Sequence, residues 1–309
     1  MKPIVSIIMA TYNRAHFIVE TLESIQAQTY TDWECLIIDD GGTDNTEEVI
    51  TPILEQDYRF KFFKRSNAYK KGLPGCRNYG LDIAQGTYIQ FFDDDDIVHP
   101  QNLESCVKIF MGNEIDFCHY QKQSFEQVKP TVEFLPIKIV KSISKINIEE
   151  VVMNKIGLAS CTVLWNVKCF NRIRFKEELL YAEEWECFTR IISQNYSGIM
   201  IENVLYFNRK HPNSNTGEFY NNNPIRKESK KDAILLVINN LNEKKLLSNT
   251  LFRYFIQMAL QFEEYRLFNS ILDIVKLSPS QQLKWKVFNA FLPFRLYVYR
   301  LKKNLITKK

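Results

Sequence analysis

The sequence predicts an α/β fold in which a mixed, mainly parallel β-sheet is flanked by helices and followed by a helical C-terminal extension. Short apolar runs alternate with segments of helical apolar spacing over residues 3–120, which is typical of βαβ units. From about residue 223 onward the apolar residues follow helical spacing. No GxGxxG motif follows the first run, so a dinucleotide-binding domain is disfavoured.

Apolar runs of four to eight residues predict the strands, and the segments between them predict helices. The first helix is predicted over residues 15–28, and further helices follow GGTDNT, begin within GLPGCRNYGLDIA and include EEWECFTRII. Residues 121–150 fit no single pattern. The predicted strands are PIVSIIMA (3–10), WECLIIDD (33–40), FKFFKR (60–65), GTYIQFF (86–92), EIDFCHY (114–120) and CTVLW (161–165).

The composition predicts a globular cytoplasmic protein. An apolar fraction of 45% supplies a core, and the seven cysteines include no CxxC pair, which favours a reducing compartment. The apolar run from Ile4 to Ala10 is too short for a signal peptide, and no stretch of 18 apolar residues predicts a membrane span.

The positive charge lies in the C-terminal tail. Residues 274–309 contain nine Lys or Arg and no Asp or Glu, while the rest of the chain has 31 basic and 36 acidic residues, a net charge of −5. The mixture of aromatic, aliphatic and basic residues over 283–309 predicts a peripheral contact with an anionic membrane surface. The alternative is a terminal helix packed on the catalytic domain. Nucleic acid is disfavoured as a partner because no recognition module accompanies the basic tail.

Polar side chains follow three predicted strands at the point where each strand ends: Asn13, Asp39 and Asp93. Ligands of open α/β sheets bind beyond the carboxyl ends of the strands, so these side chains are expected to line one crevice. Four consecutive aspartates, 93–96, suit a hard divalent cation such as Mn²⁺ or Mg²⁺. The alternative is a solvated acidic turn or a helix N-terminus.

Two further residues have open interpretations. Asp39 precedes Asp40 and two glycines. This segment is either an ordinary tight turn, or Asp39 contacts the ribose or base of a nucleotide. Arg77 follows the glycines at 72 and 75, and it either faces a diphosphate at a helix start or lies on the surface of the helix.

Five ordered motifs resemble glycosyltransferase family 2, the inverting nucleotide-sugar transferases with the GT-A fold. The resemblance covers about residues 3–215. It is carried by Thr11-Tyr12-Asn13, Gln28-Thr29-Tyr30, Asp39-Asp40-Gly41-Gly42-Thr43-Asp44, Gly72-Leu73-Pro74-Gly75-Cys76-Arg77-Asn78 and Phe92-Asp93-Asp94-Asp95-Asp96.

The resemblance implies a role for each matching residue on the donor side. The TYN motif contributes Thr11, Tyr12 and Asn13, of which Thr11 contacts the nucleoside. Asp39 matches the position that contacts the base. Asp93 and Asp94 match the region near the ribose and the metal, and Asp95 matches the direct metal ligand. The cation would bridge Asp95 to the diphosphate of the donor. The segment FNRKHPNSNT matches a late Arg-x-His segment, which makes His211 a second metal or diphosphate contact.

The resemblance also indicates a general base on the acceptor side. In YAEEWECFTR, Glu184 matches the base position, where the family usually has Asp, and Glu183 is the second candidate. The alternative is an ordinary helix first turn enriched in Glu.

These observations predict a metal-dependent inverting transferase that moves a sugar from a nucleotide-sugar, with UDP implied by resemblance, to a saccharide or lipid-linked saccharide acceptor in bacterial surface polysaccharide or glycolipid assembly. The alternatives are an aspartate-dependent phosphatase-like hydrolase and a non-catalytic sugar-nucleotide-binding module. The predicted domains are a catalytic domain over 1–222 and a helical region over 223–309. The catalytic domain would have a nucleotide-binding half over about 1–120 and an acceptor half over about 121–222.

Overall fold

The computed structural model describes residues 2–211, 214–262, 264–291 and 293–294. The chain divides into two compact units, Met1–Val237 and Ile238–Lys309. This division lies further along the chain than the domain boundary predicted at residue 222, which stays a prediction.

The first unit contains one β-sheet built from nine strands of the described chain. The strands are β1 (Val5–Thr11), β2 (Trp33–Asp39), β3 (Phe60–Lys64), β4 (Tyr88–Phe92), β5 (Ile97–Val98), β6 (Phe117–Phe125), β7 (Ile139–Ile143), β8 (Val163–Asn166) and β9 (Gly198–Arg209).

Helices lie between the strands of the first unit and form the described part of the second. They are α1 (Ile18–Gln26), α2 (Thr46–Gln56), α3 (Leu73–Ile83), α4 (Asn102–Gly112), α5 (Ile148–Val152), α6 (Glu183–Ile192), α7 (Asn215–Tyr220), α8 (Pro224–Glu243), α9 (Asn249–Gln261), α10 (Tyr265–Val275) and α11 (Pro279–Ala290). Short 3₁₀ helices occupy Lys145–Asn147, Ser160–Thr162 and Val167–Phe170.

The sheet is mixed, with the strand order β3-β2-β1-β4-β8-β6-β9-β5 and with β7 paired to β9. Parallel pairing joins β3, β2, β1 and β4. β8 runs antiparallel to both β4 and β6, whereas β6 and β9 are parallel. The predicted α/β class, with a mixed sheet flanked by helices, is confirmed, and the predicted parallel character belongs mainly to the first half of the sheet.

Burial on both faces explains why the first strands are nearly continuous apolar runs. Every residue of β2 is buried, as is every residue of β1 except Ala10. Helix α1 places Ile18, Leu22 and Ile25 on one buried face, as their spacing predicted. Parallel strands covered by helices on both sides require this composition.

The long strand β9 and the short strand β5 were absent from the sequence prediction. β9 pairs with β6, β7 and β5, and its register against β6 shifts between His119 and Lys122. Such irregularities disturb the simple alternation by which a strand is recognised in a sequence. β6 also continues to Phe125, into the segment that fitted no single pattern.

The described part of the second unit is helical, as the sequence predicted. Within the described residues, no helix combines the length and the apolar character needed to cross a bilayer. Residue 292 and residues 295–309 of the predicted membrane-binding segment 283–309 lie outside the described residues.

Candidate active site

The carboxyl ends of β1, β2 and β4 meet at one edge of the sheet. In the register of the strands, Thr11 pairs with Asp39 at the ends of β1 and β2, and Met9 pairs with Phe92 at the end of β4. The residue after Phe92 is Asp93, so the predicted nucleotide-binding residues of three strands lie at this edge. The register of the parallel strands therefore places these residues at one common edge, as the sequence led us to expect.

The first two strand ends are joined by hydrogen bonds between their loops. Asn13, in the left-handed region with φ 55°, accepts hydrogen bonds through Oδ1 from the backbone N–H groups of Thr43 and Asp44, at 2.7 and 3.2 Å. Asp39 Oδ1 accepts one from the Gly42 N–H at 2.9 Å. A Cβ atom at position 42 would lie 2.9 Å from this same oxygen. This separation is too short for a carbon and an oxygen that are not bonded, so the loop favours glycine here. Within the described residues, Asp39 Oδ2 has no hydrogen-bond donor.

Each member of the aspartate cluster has a partner from a distant part of the chain. The partners are basic residues of three different segments, which together offset the repulsion of four carboxylates. Asp93 Oδ1 lies 3.6 Å from Arg77 Nη2, and Asp94 Oδ1 lies 3.3 Å from Arg14 Nε. Asp95 Oδ2 lies 3.0 Å from His211 Nε2 and 3.5 Å from Arg14 Nη2. Asp96 Oδ1 accepts a hydrogen bond from the Arg209 backbone N–H at 2.7 Å.

The four aspartates differ in their surroundings. Asp94 and Asp96 are buried, and Asp93 and Asp95 are partly exposed. Burial raises the pKa of Asp94, with a further contribution from the negative charge of Asp95 that Arg14 opposes. Asp96 connects the end of β4 to β9 and, through its carbonyl oxygen, to Thr21 of α1. Its contacts are those of a structural residue, whereas Asp93 and Asp95 face the open edge.

Asp95 and His211 form the best candidate metal site. Within the described residues, no group of three or more His, Cys, Asp or Glu side chains is arranged to hold a metal ion. The 3.0 Å between Asp95 Oδ2 and His211 Nε2 nevertheless suits two neighbouring ligands of one octahedral ion, since bonds of about 2.1 Å at right angles separate the ligand atoms by about 3 Å. A carboxylate and an imidazole, with the other positions left to phosphate oxygens and water, fit Mn²⁺ or Mg²⁺.

Helix α6 brings the two predicted base candidates to the same edge, where they have different environments. Its N-cap, Ala182, has φ 64°, which is an uncommon conformation for alanine. Glu183 is buried and accepts a hydrogen bond from Arg77 Nη1 at 3.0 Å. Glu184 is half-buried and accepts one through Oε2 from the Ser160 backbone N–H at 2.9 Å. Glu184 is therefore the more accessible of the two.

Arg77 links the aspartate cluster to the base helix. Besides Glu183 and Asp93, its guanidinium donates to Ser160 Oγ at 2.8 Å and lies over the rings of Phe91 and Phe175. Its side chain is only 4% exposed, so it offers little surface to a diphosphate. The carboxylates of two segments converge on the guanidinium, and the diphosphate contact expected of Arg77 stays a prediction.

Lys230 is a basic residue beside the base that the sequence did not reveal. Its Nζ lies 3.8 Å from the centre of the Trp185 ring, and the Trp185 Nε1–H donates to the carbonyl oxygen of Val152 at 3.1 Å. Burial lowers the pKa of Lys230 to about 8, and the negative charges of Glu184 and Glu183 oppose this shift. Lys230 therefore adds a buried positive charge that interacts with both glutamates of α6.

The predicted site residues lie at or after the ends of β1, β2, β4 and β9, in α3 and at the start of α6. Tyr12 follows β1 and is 44% exposed, and Lys71 Nζ lies 4.6 Å from the centre of its ring. The residues that sequence reasoning missed are Arg14, Ser160 and Lys230. Arg14 follows the TYN motif directly, so its position after a strand end was the one available signal.

Solved structures of similar shape define the class of the fold. Residues 1–349 of S. aureus TarS, in complex with UDP-GlcNAc, align with a TM-score of 0.69 and 19% identity over 91% of this chain and 82% of that chain. The mannosyltransferase PcManGT from Pyrobaculum calidifontis, in complex with GDP-Man and Mn²⁺, aligns with a TM-score of 0.54 and 15% identity over 100% of this chain and 89% of that one. At these identities the likeness shows the fold, which is GT-A.

Sequence relatives define the family. Residues 6–142 match the family model described as Glycosyl transferase family 2. A Rickettsia felis protein named uncharacterized glycosyltransferase is 30% identical over 194 residues, which are 63% of this chain and 31% of that protein. The Escherichia coli UDP-Glc:alpha-D-GlcNAc-diphosphoundecaprenol beta-1,3-glucosyltransferase WfgD is 39% identical over 116 residues, 38% of this chain and 44% of WfgD. The chain thus spans less than half the length of these two relatives, and its residues 6–142 are similar to glycosyl transferase family 2.

The contacts of Arg77 predict a large loss of stability on its removal. We expect Arg77→Met to lower the free energy of unfolding by about 3–5 kcal/mol, because the buried Glu183 carboxylate loses its partner. Urea unfolding measures the loss, and adding Glu183→Gln to this variant should recover part of it. The matched control is Lys138→Met, which removes an exposed pair with Glu202 and should cost no more than about 1 kcal/mol. Similar small losses in both variants would contradict the bridging role.

Proposed function

We propose that this chain is a metal-dependent inverting glycosyltransferase that moves a sugar from a nucleotide-sugar, with UDP as the first nucleotide to test, to an acceptor hydroxyl. The observation that carries the proposal is the Arg77 bridge, which joins Asp93 at the end of β4 to Glu183 of α6. This contact brings the strand-end aspartates and the base candidates together although about ninety residues separate them.

On the donor side, the end of β2 would hold the nucleoside. The unoccupied acceptor Oδ2 of Asp39 suits the N3–H of a uracil base, and the exposed ring of Tyr12 offers a stacking surface beside it. Thr11 and Asn13 would support this site, Thr11 from the strand end and Asn13 through the loop that it holds. Asp93 and Asp94 would line the ribose and diphosphate region.

Asp95 and His211 would hold the divalent cation next to the diphosphate. When bound, the cation would supply positive charge that offsets the charge of the departing nucleoside diphosphate. Arg14 contacts both Asp94 and Asp95, and so keeps these carboxylates oriented at the edge. The Pyrobaculum calidifontis mannosyltransferase structure is a complex with Mn²⁺, which supports a divalent cation here by analogy of fold.

On the acceptor side, Glu184 would be the general base. The acceptor oxygen attacks the anomeric carbon, the bond from that carbon to the nucleoside diphosphate breaks, and the hydroxyl proton passes to a Glu184 carboxylate oxygen. A single displacement of this kind inverts the anomeric configuration. Glu183 would instead position the helix, because Arg77 already occupies its carboxylate.

The acceptor that we propose is a saccharide or a lipid-linked saccharide, in the assembly of a bacterial surface polysaccharide or glycolipid. The name of WfgD, whose acceptor is a diphosphoundecaprenol-linked sugar, supports this class. A lipid-linked acceptor would also suit a cytoplasmic protein held peripherally at an anionic inner membrane face, which the basic tail favours.

The metal assignment predicts the behaviour of Asp95→Asn. We expect this variant to fold normally and to lose the gain in UDP affinity that Mn²⁺ gives the wild type, because a neutral amide is a poor ligand. Turnover should fall by about 10²-fold or more, since the charge stabilisation lost is several kcal/mol.

Calorimetry with UDP, with and without Mn²⁺, measures the affinity of the wild type and of Asp95→Asn. Asp82→Asn, at an exposed aspartate bonded to Tyr69 and Arg174, is the control. Mn²⁺-dependent UDP binding that survives in Asp95→Asn would refute the assignment.

The base assignment predicts that Glu184→Gln loses about 10²- to 10⁴-fold in turnover, the typical contribution of general-base catalysis. UDP and metal affinity should hardly change, because the side chain faces the acceptor. Release of UDP from a donor panel in the presence of acceptor measures the rate.

Glu183→Gln is the control for the base, and it should lose much less turnover but measurably more stability than Glu184→Gln. A larger rate loss in Glu183→Gln would transfer the role to Glu183. Small and equal rate losses would mean that neither carboxylate is the base.

A further inference from the structure

Helix α11 presents the exposed apolar surface of the second unit. Within the described residues from 238 onward, the large apolar side chains that are mainly exposed all belong to this helix or follow it directly. They are Leu283 (64% exposed), Val287 (47%), Phe291 (59%) and Phe294 (67%). The apolar residues of α9 and α10, by contrast, form the interior, as Phe255 and Ile271 illustrate.

Three of these residues form a continuous line along the helix. Leu283, Val287 and Phe291 follow one another at intervals of four, so they lie on one face of α11 and its C-cap. We call these three residues, with Phe294 beyond them, the apolar stripe of α11. Their spacing is that of the buried side of an amphipathic helix, yet here this side is open to solvent.

The opposite face of α11 is packed in the ordinary way. The Trp285 ring lies edge-on to Phe252 of α9 with centroids 5.4 Å apart, and Asn289 is buried. The helix therefore already has its interior face, and the apolar stripe is a second apolar surface that the other described residues of the second unit leave uncovered. A patch of this kind marks an interaction site in a soluble domain.

The charge around the stripe indicates what covers it. Lys284 and Lys286 are exposed and border the stripe on its two sides, at about 100° and −60° from Leu283 for a helix of 3.6 residues per turn. No acidic residue occurs from residue 274 to the last residue, 309, against nine basic residues. An anionic lipid surface complements both the stripe and its lysines. A second copy would instead place the lysines of two identical stripes near one another, which opposes self-association.

We propose that α11 lies in the interface of an anionic bilayer, with its apolar stripe in the acyl boundary and Lys284 and Lys286 at the phosphate groups. The inference deepens the peripheral location and rests on that part of the proposed function, but not on the transfer reaction. It assigns the contact to side chains of the described helix, in addition to the basic residues that follow.

The experiment measures cosedimentation of the full-length chain with vesicles of phosphatidylglycerol and phosphatidylethanolamine, and with vesicles of phosphatidylcholine alone. The wild type should bind the anionic vesicles and release in high salt. Leu283→Gln/Val287→Gln/Phe291→Gln should lose at least about tenfold in partition coefficient. Lys284→Gln/Lys286→Gln should lose about fivefold for each lysine, the equivalent of about 1 kcal/mol per charge.

A matched control removes equally exposed apolar side chains from the first unit, as Tyr58→Gln/Met111→Gln/Ile146→Gln, and should bind like the wild type. Circular dichroism checks that the stripe variant keeps its helices. If it does not, Phe291→Trp gives an independent test, since its fluorescence should shift to the blue on anionic vesicles alone.

Three results would overturn the proposal. The first is a wild-type chain that ignores anionic vesicles at low salt, and the second is a stripe variant that binds them like the wild type. The third is vesicle-free dimerisation, detected by sedimentation velocity, that the stripe substitutions abolish, because the stripe would then contact a second copy. UDP binding measured in parallel separates these outcomes from a failure of the transferase proposal.

Discussion

The repulsion among four consecutive carboxylates at the end of β4 is the constraint on which the site depends. In water such charges would spread apart, but the parallel strands fix the backbone of this segment beside the ends of β1 and β2. The fold offsets the repulsion through contacts from three regions: Arg14 after β1, Arg77 in α3, and the end of β9, where the Arg209 backbone N–H bonds Asp96 and His211 lies beside Asp95. Each contact also ties a distant segment to the same edge.

Ion pairs and backbone hydrogen bonds give adjacent acidic residues different environments. Asp96 is bonded to the β9 backbone, and Asp95 faces the edge with His211 beside it. Glu183 is buried against Arg77, while Glu184 is half-buried with one oxygen held by a backbone N–H. In both pairs one acid is buried and bonded within the fold, and the other is more exposed and held in a fixed orientation.

The sequence predicted the strands and the edge because both depend on local patterns. Buried parallel strands are continuous apolar runs, and the polar residues that end them are visible one position later, as at Asp39 and Asp93. Strand β9 was not predicted, because its register shifts obscure the alternation of apolar and polar residues. The contact of Arg77 with Glu183 was not predicted, because no local sequence pattern encodes a contact across about a hundred residues. The placement of Ser160 and Lys230 beside Glu184 likewise follows only from the assembled sheet and helices.

The central claim is that one edge of this sheet holds the base, the diphosphate and the cation of a nucleotide-sugar. A crystal structure of the chain grown with UDP and Mn²⁺ tests it most directly, because manganese is located by its anomalous scattering. We expect one manganese peak about 2.1 Å from an oxygen of Asp95, by the bond lengths of hard divalent ions, with the uracil against Asp39. Manganese or UDP bound away from Asp95 and Asp39, or a diphosphate bound on the far side of Arg77 from Glu184, would contradict it.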